Sequence, residues 1–117
     1  MNQNLKVTFN PVESGQTYQL IKFSGEFDKA GHSEVKEKLD MCVKDFNLKA
    51  LVFDFQDLKF INSEGIGYLM EIHAHLTQRD RKLVIVGANA YVKDVFQAIG
   101  IMEIVPIYEN LKEFLSK

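Results

Sequence analysis

Residues 49–67 read KALVFDFQDLKFINSEGIG, and this stretch decides the fold. Lys49–Phe55 is an almost unbroken apolar run, the pattern of a strand covered on both faces. The run ends, a short turn follows, and a helix begins at Asn62–Ser63. Asn62 has the short polar side chain of an N-cap, which puts Ser63 at the first helical position and Glu64 at the second. The helix is expected over residues 63–78, with Ile66, Leu69, Met70, His73 and Leu76 on one stripe. Gly65 and Gly67 stand in its first turns. Each costs about 1 kcal/mol relative to alanine, so they predict a helix start pressed closely against another element.

Outward from this unit, strand-like and helix-like periods alternate. Upstream, LKVTF (5–9) and YQLIKF (18–23) predict two strands joined around Gly15, close enough in sequence to be antiparallel neighbours. Residues 31–46 predict a helix with Ser33 at its start and Val35, Leu39, Cys42, Val43 and Phe46 facing inward. Downstream, KLVIV (82–86) predicts a second buried strand ended by Gly87. Residues 90–99 predict a third helix stopped by Gly100. A short strand around 103–105 and a terminal helix over 108–115 complete the order β-β-α-β-α-β-α-(β)-α. That order implies the α/β class, with right-handed crossovers in a mostly parallel mixed sheet, an antiparallel N-terminal edge and about four helices.

Composition narrows the function classes. The chain has 117 residues, which suits a single domain spanning 1–117. Fourteen Lys and Arg stand against sixteen Asp and Glu, a net charge of −2 with neutral His. A protein that grips nucleic acid through bulk positive charge is therefore not expected. Cys42 is the single cysteine, which excludes an internal disulfide framework and a multi-cysteine zinc site. No signal-peptide pattern opens the sequence and no apolar run approaches a membrane span. The expected compartment is the cytoplasm, without membrane insertion.

Ser63 is the residue with chemistry in reach. Its hydroxyl would lie beside free backbone N–H groups at the positive end of the helix dipole. A phosphate there suits the backbone and adds about −1.5 to −2 charge next to Glu64. Such a site suits a switch; the plainer reading is that Asn62 and Ser63 only cap a helix. A hydrolase is not expected. There is no G-x-S-x-G elbow, and His73 lies about 15 Å further along the same helix. His73 and His75 point about 200° apart and cannot chelate one metal. His73 reads as a stripe-edge core residue, His75 as solvated, and Cys42 as a small inert hydrophobe. The QRDRK run (78–82) reads as a solvated turn, and Val86–Asn89 falls short of a dinucleotide fingerprint. Phe23, Phe27, Ile61, Ile66 and Tyr68 cluster around the proposed face; Phe27 or Tyr68, if exposed, would anchor an interface.

The segment DLKFINSEGIG (57–67) resembles the signature of STAS domains, specifically the bacterial anti-sigma factor antagonists. Gly25-Glu26-Phe27-Asp28 matches a second family element, and the likeness in element type and order covers nearly the whole chain. The resemblance implies a non-enzymatic partner-switching protein without cofactor. In its unphosphorylated state such a protein binds an anti-sigma factor, often a serine kinase of the histidine-kinase-like ATPase type, and phosphorylation ends the interaction. A metal-dependent phosphatase of the PP2C type restores binding. The phosphorylated serine maps onto Ser63, and Asp28 maps close to it. The implied partner-binding residues are Gly25, Glu26, Phe27, Asp28, Asn62, Ser63, Glu64 and Gly65, in a chain expected to be a monomer. Two positions depart from the pattern: Asn62 replaces the motif aspartate, and Glu64 stands where Ser, Thr or Ala is usual. They motivate an alternative, a STAS scaffold subunit of a signalling or lipid-transport ATPase complex that is not phosphorylated.

Overall fold

The structure is a computed structural model that describes residues 3–117. Among these the chain forms β1 (Leu5–Phe9), β2 (Tyr18–Phe27), α1 (Lys29–Lys44), β3 (Ala50–Ile61) and α2 (Ser63–Thr77). Then follow β4 (Lys82–Val86), α3 (Ala90–Ile99), a 3-10 turn (Ile101–Glu103), β5 (Ile107–Tyr108) and α4 (Leu111–Leu115). The strands form one sheet in the order β1-β2-β3-β4-β5. β1 is antiparallel to β2, and the remaining pairs are parallel. This is the mixed α/β sheet with an antiparallel N-terminal edge that the sequence pattern implies.

The unbroken apolar run of β3 has the expected cause. Leu51, Phe53, Phe55 and Leu58 point into the main core, which also takes Val35 and Leu39 of α1, Leu69 and Ile72 of α2, and Val92 and Phe96 of α3. Ala50 and Val52 point to the opposite face. There they join Leu20, Val84 and Val86 under Tyr18, Tyr108, Leu111 and Phe114.

Several boundaries differ from the sequence pattern. β3 continues to Ile61 instead of ending at Phe55. Its second half buries Phe55, Leu58 and Ile61, three residues apart, and exposes Gln56, Asp57 and Lys59, because register shifts against β2 break the two-residue alternation and one side is solvated. It pairs with an equally extended β2, with Leu58 opposite Gly25 and Ile61 opposite Phe27. α1 starts at Lys29, two residues before Gly31, and its cap is Asp28 rather than Ser33: Asp28 Oδ1 accepts from the Gly31 N–H at 2.8 Å. No strand forms at 103–105: Glu103 ends the 3-10 turn that follows left-handed Gly100, Ile104 and Val105 turn, and β5 lies beyond Pro106. Tyr108 is held in β5 against β4, so α4 begins only at Leu111, capped by Asn110. On α2, Tyr68 and Ile72 are buried with Leu69 and Leu76, while Ile66, Met70 and His73 are only half-buried.

The end of β2 seats both helix starts. A Cβ on Gly31 would lie 2.2 Å from the Glu26 carbonyl oxygen, and one on Gly65 would lie 2.6 Å from the Phe27 carbonyl oxygen. That same Phe27 oxygen accepts a hydrogen bond from the Asn62 N–H at 3.2 Å. The expected close approach is therefore made by Gly65. Gly67 makes none: nothing lies within 4 Å of where its Cβ would be. The two glycines should respond oppositely to the same substitution. Gly65→Ala is expected to destabilise by about 1–3 kcal/mol through overpacking against backbone. Gly67→Ala should stabilise by about 0.5–1 kcal/mol through helix propensity. Urea unfolding of both variants measures the contrast.

Candidate functional site

The starts of α1 and α2 meet beside the ends of β2 and β3. Asn62 is the N-cap of α2, with extended backbone and a side-chain oxygen that accepts from the N–H groups of Glu64 at 3.0 Å and Gly65 at 3.3 Å. Ser63 is the first helical residue and is exposed. Glu64 is exposed, whereas Gly65 is buried under the Phe27 carbonyl. Helical spacing puts Ser63, Gly67 and Glu71 on one face. They line a recess of about 280 Å³ together with His32, Glu64 and Tyr68.

Gly25–Asp28 approaches from the other side. Gly25 has φ +117°, and a Cβ there would fall 2.1 Å from the Asn4 carbonyl oxygen, so only glycine fits. Glu26 is exposed and Asp28 is half-buried, its carboxylate spent on capping α1. Phe27 is fully buried and stacks on Phe23. Tyr68 is 3% exposed. Neither aromatic is an exposed anchor; Phe27 serves the site through its carbonyl. The exposed aromatic nearby is Tyr91, half in solvent and stacked on Phe60, two residues before Asn62.

The sequence pattern did not single out the polar stripe between the two helices. His32, Lys36 and Asp40 recur every four residues on α1. The His32 ring lies 4.3 Å from the Tyr68 ring, and its Nδ1 is 3.7 Å from Glu64 Oε2. The Tyr68 hydroxyl donates to Asp40 Oδ1 at 2.5 Å, with the Lys36 carbonyl oxygen 3.3 Å away as a weaker alternative acceptor, and Lys36 pairs with Asp40. Burial, reinforced by the Asp40 carboxylate, pushes the Tyr68 phenol well above its ordinary range. The hydrogen bond to Asp40 raises the Lys36 ammonium. Burial works against the Asp40 charge, but hydrogen bonds from Lys36 and Tyr68 prevail and hold its carboxyl low. The four-residue spacing was the available signal. Lys36 alone reads as solvated until its neighbour across the groove is known.

The other candidates stay apart from this site. His73 is half-buried and His75 is exposed. Cys42 is half-buried with its thiol 3.8 Å from Gln19 Oε1, and burial raises its pKa, which disfavours the reactive thiolate. A larger cleft of about 570 Å³ between Lys22, Asp54, Gln56 and Lys112 shares no residue with the Ser63 recess. Among the described residues no helix is long and apolar enough to cross a membrane.

Comparison with known proteins identifies the fold and its family. The STAS domain profile matches residues 11–114. The anti-sigma F factor antagonist of Paenibacillus polymyxa is 23% identical over 91 residues, 78% of each chain. The crystal structure of an anti-sigma factor antagonist from Mycobacterium paratuberculosis superposes with a TM-score of 0.79 at 22% identity, covering 95% of this chain and 92% of that one. The Bacillus cell fate determinant SpoIIAA in its phosphorylated form gives 0.67 at 16% identity, covering 93% and 97%. A sulfate transporter family protein from Wolinella succinogenes has the same fold, with a TM-score of 0.73 at 16% identity over 92% and 87% of the two chains.

Two side chains of the site are open to test. Asn62→Ala should cost about 1 kcal/mol by removing the α2 cap. Tyr68→Phe should cost about 1 kcal/mol near neutral pH. The raised phenol contributes stability that is complete below its unfolded value of about 10 and is lost as pH rises past it. Wild type should therefore lose stability above about pH 10 more steeply than Tyr68→Phe, as read by denaturant unfolding across the alkaline range.

Proposed function

We propose, from the premise that the chain belongs to the STAS domain family, that it is an anti-sigma factor antagonist switched by phosphorylation of Ser63. The observation that carries this reading is the exposed Ser63 at the capped start of α2, held beside the Gly25–Asp28 segment by the Phe27 carbonyl. The likeness to named anti-sigma factor antagonists supports it, as does the existence of a phosphorylated form of one such fold relative.

In the unmodified state the partner, an anti-sigma factor that is also a serine kinase of the histidine-kinase-like ATPase type, docks on Gly25–Asp28, Asn62–Gly65 and the exposed side of α2. The kinase then moves the γ-phosphoryl group of ATP to Ser63. The serine O–H bond breaks, the Oγ–P bond forms, ADP leaves, and the proton passes to a base on the kinase. The product carries about −1.5 to −2 extra charge against Glu64 and Glu71, which line the same recess. The complex parts because that charge must be desolvated or opposed in the interface. A PP2C-type phosphatase hydrolyses the ester and resets the surface. The chain itself binds and is modified; it turns nothing over. Both departures from the motif fit this role. Asn62 performs the cap without a charge, and Glu64 keeps a carboxylate at the helix start, where the dipole favours it.

The test uses the histidine-kinase-like ATPase encoded nearest the gene. With ATP, peptide mass spectrometry should find one phosphate, on Ser63, and none in Ser63→Ala. With ADP the two proteins should form a complex that Ser63→Asp abolishes while its thermal unfolding stays near wild type. Absence of both the modification and the ADP complex would refute the reading. A complex that survives Ser63→Asp would point to the scaffold alternative.

A further inference from the structure

We infer that His32 receives the phosphate on Ser63 and acts as its counter-ion within the α1–α2 recess. This deepens the switch reading given above and rests on Ser63 being the modified residue. Among the residues lining the recess, His32 alone can carry a positive charge; Glu64 and Glu71 are carboxylates, and Ser63, Gly67 and Tyr68 are neutral near pH 7.

The state of the imidazole points the same way. Its Nε2 is sealed from solvent without a hydrogen-bond partner among the described residues. Its Nδ1 is 3.7 Å from Glu64 Oε2, too far for a hydrogen bond. Nδ1, on the Glu64 side of a side chain only 18% exposed, is thus the nitrogen within reach of a phosphate in the recess, while Nε2 stays sealed inside. A phosphate ester on Ser63 brings three acceptor oxygens and up to two charges into that recess. The ring is already fixed in place by Tyr68, at 4.3 Å between centroids. Tyr68 is fixed in turn by Asp40.

The other groups around His32 do not compete for this role. From α2 they are Glu64, Glu71 and Tyr68. From α1, Asp28 caps the helix, and Asp40 is already paired with Lys36 and Tyr68. Glu64, half exposed on a flexible side chain, is the group the phosphate displaces. Modification therefore turns Glu64 outward and draws a proton onto His32. The two forms differ in the docking face by the phosphate itself and by where the Glu64 carboxylate points.

The test needs no kinase. The full chain is made with genetically encoded phosphoserine at position 63, and its imidazole and ³¹P resonances are titrated by NMR beside the unmodified protein. His32 is assigned by its loss in His32→Gln, whose fold is checked by thermal unfolding. The His32 midpoint should rise by about one pH unit or more in the phosphoprotein, with His73 and His75 unmoved. Reciprocally, the phosphate midpoint should lie below its ordinary value near 6 and return to it in His32→Gln. In Glu64→Gln the coupling should persist. An unchanged His32 midpoint, a ³¹P titration indifferent to His32→Gln, or coupling that vanishes in Glu64→Gln would each overturn the assignment. Failure of the kinase assay above would overturn the physiological switch and leave these titrations as they are, so the two failures are distinguishable.

Discussion

The close approach of α2 to the carbonyl end of β2 is the constraint on which the site depends. The Phe27 carbonyl oxygen accepts from Asn62 and faces Gly65 at a distance that leaves no room for a side chain. The Glu26 carbonyl holds Gly31 of α1 in the same way. Two adjacent carbonyls at the end of one strand therefore seat the first turns of two helices. Because β2 and β3 run parallel to a common end at Phe27 and Ile61, those helices must start side by side. Segments more than thirty residues apart in the chain become one surface for a steric reason that involves backbone alone.

The surface so built is anionic and sparsely paired. Caps absorb the carboxylate of Asp28 and the amide of Asn62, so the residues that most resemble functional groups in the sequence are structural first. The groups left for electrostatics are Glu64, Glu71 and His32 around the Ser63 hydroxyl. A modest change of charge at Ser63 acts on a recess with two carboxylates already present. In the proposed switch, that setting lets a phosphate on Ser63 act on a docking protein without asking the core to move. The core ends at Tyr68, whose hydroxyl is locked by Asp40 and whose ring supports His32. Stability and the proposed switch thus share a single aromatic residue.

Sequence reasoning succeeded where a pattern has a local cause. The apolar run of β3, the Asn62 cap and the Gly100 stop each follow from residues within one turn or one strand. It failed where the cause sits on another element. The sequence pattern points to Ser33 as the cap of α1, and the role falls to Asp28 because Gly31 meets the Glu26 carbonyl. Gly65 and Gly67 looked alike, yet one is pinned against β2 and the other faces open space. Phe27 looked like an interface anchor, and its side chain lies wholly inside the core. His32 drew no notice, since its neighbours Tyr68 and Glu64 lie more than thirty positions downstream.

By itself, then, the sequence determined the order of elements, the mixed sheet, the position of Ser63 at a helix start and the likeness of two short motifs to a family signature. Those follow from periodicity and capping, which are properties of neighbouring residues. The tertiary structure alone decided that the two motifs adjoin, which glycine is obligatory, and that a histidine from α1 completes the recess around a serine of α2. Those depend on packing distances of a few ångströms between elements remote in the chain, and no local pattern encodes them.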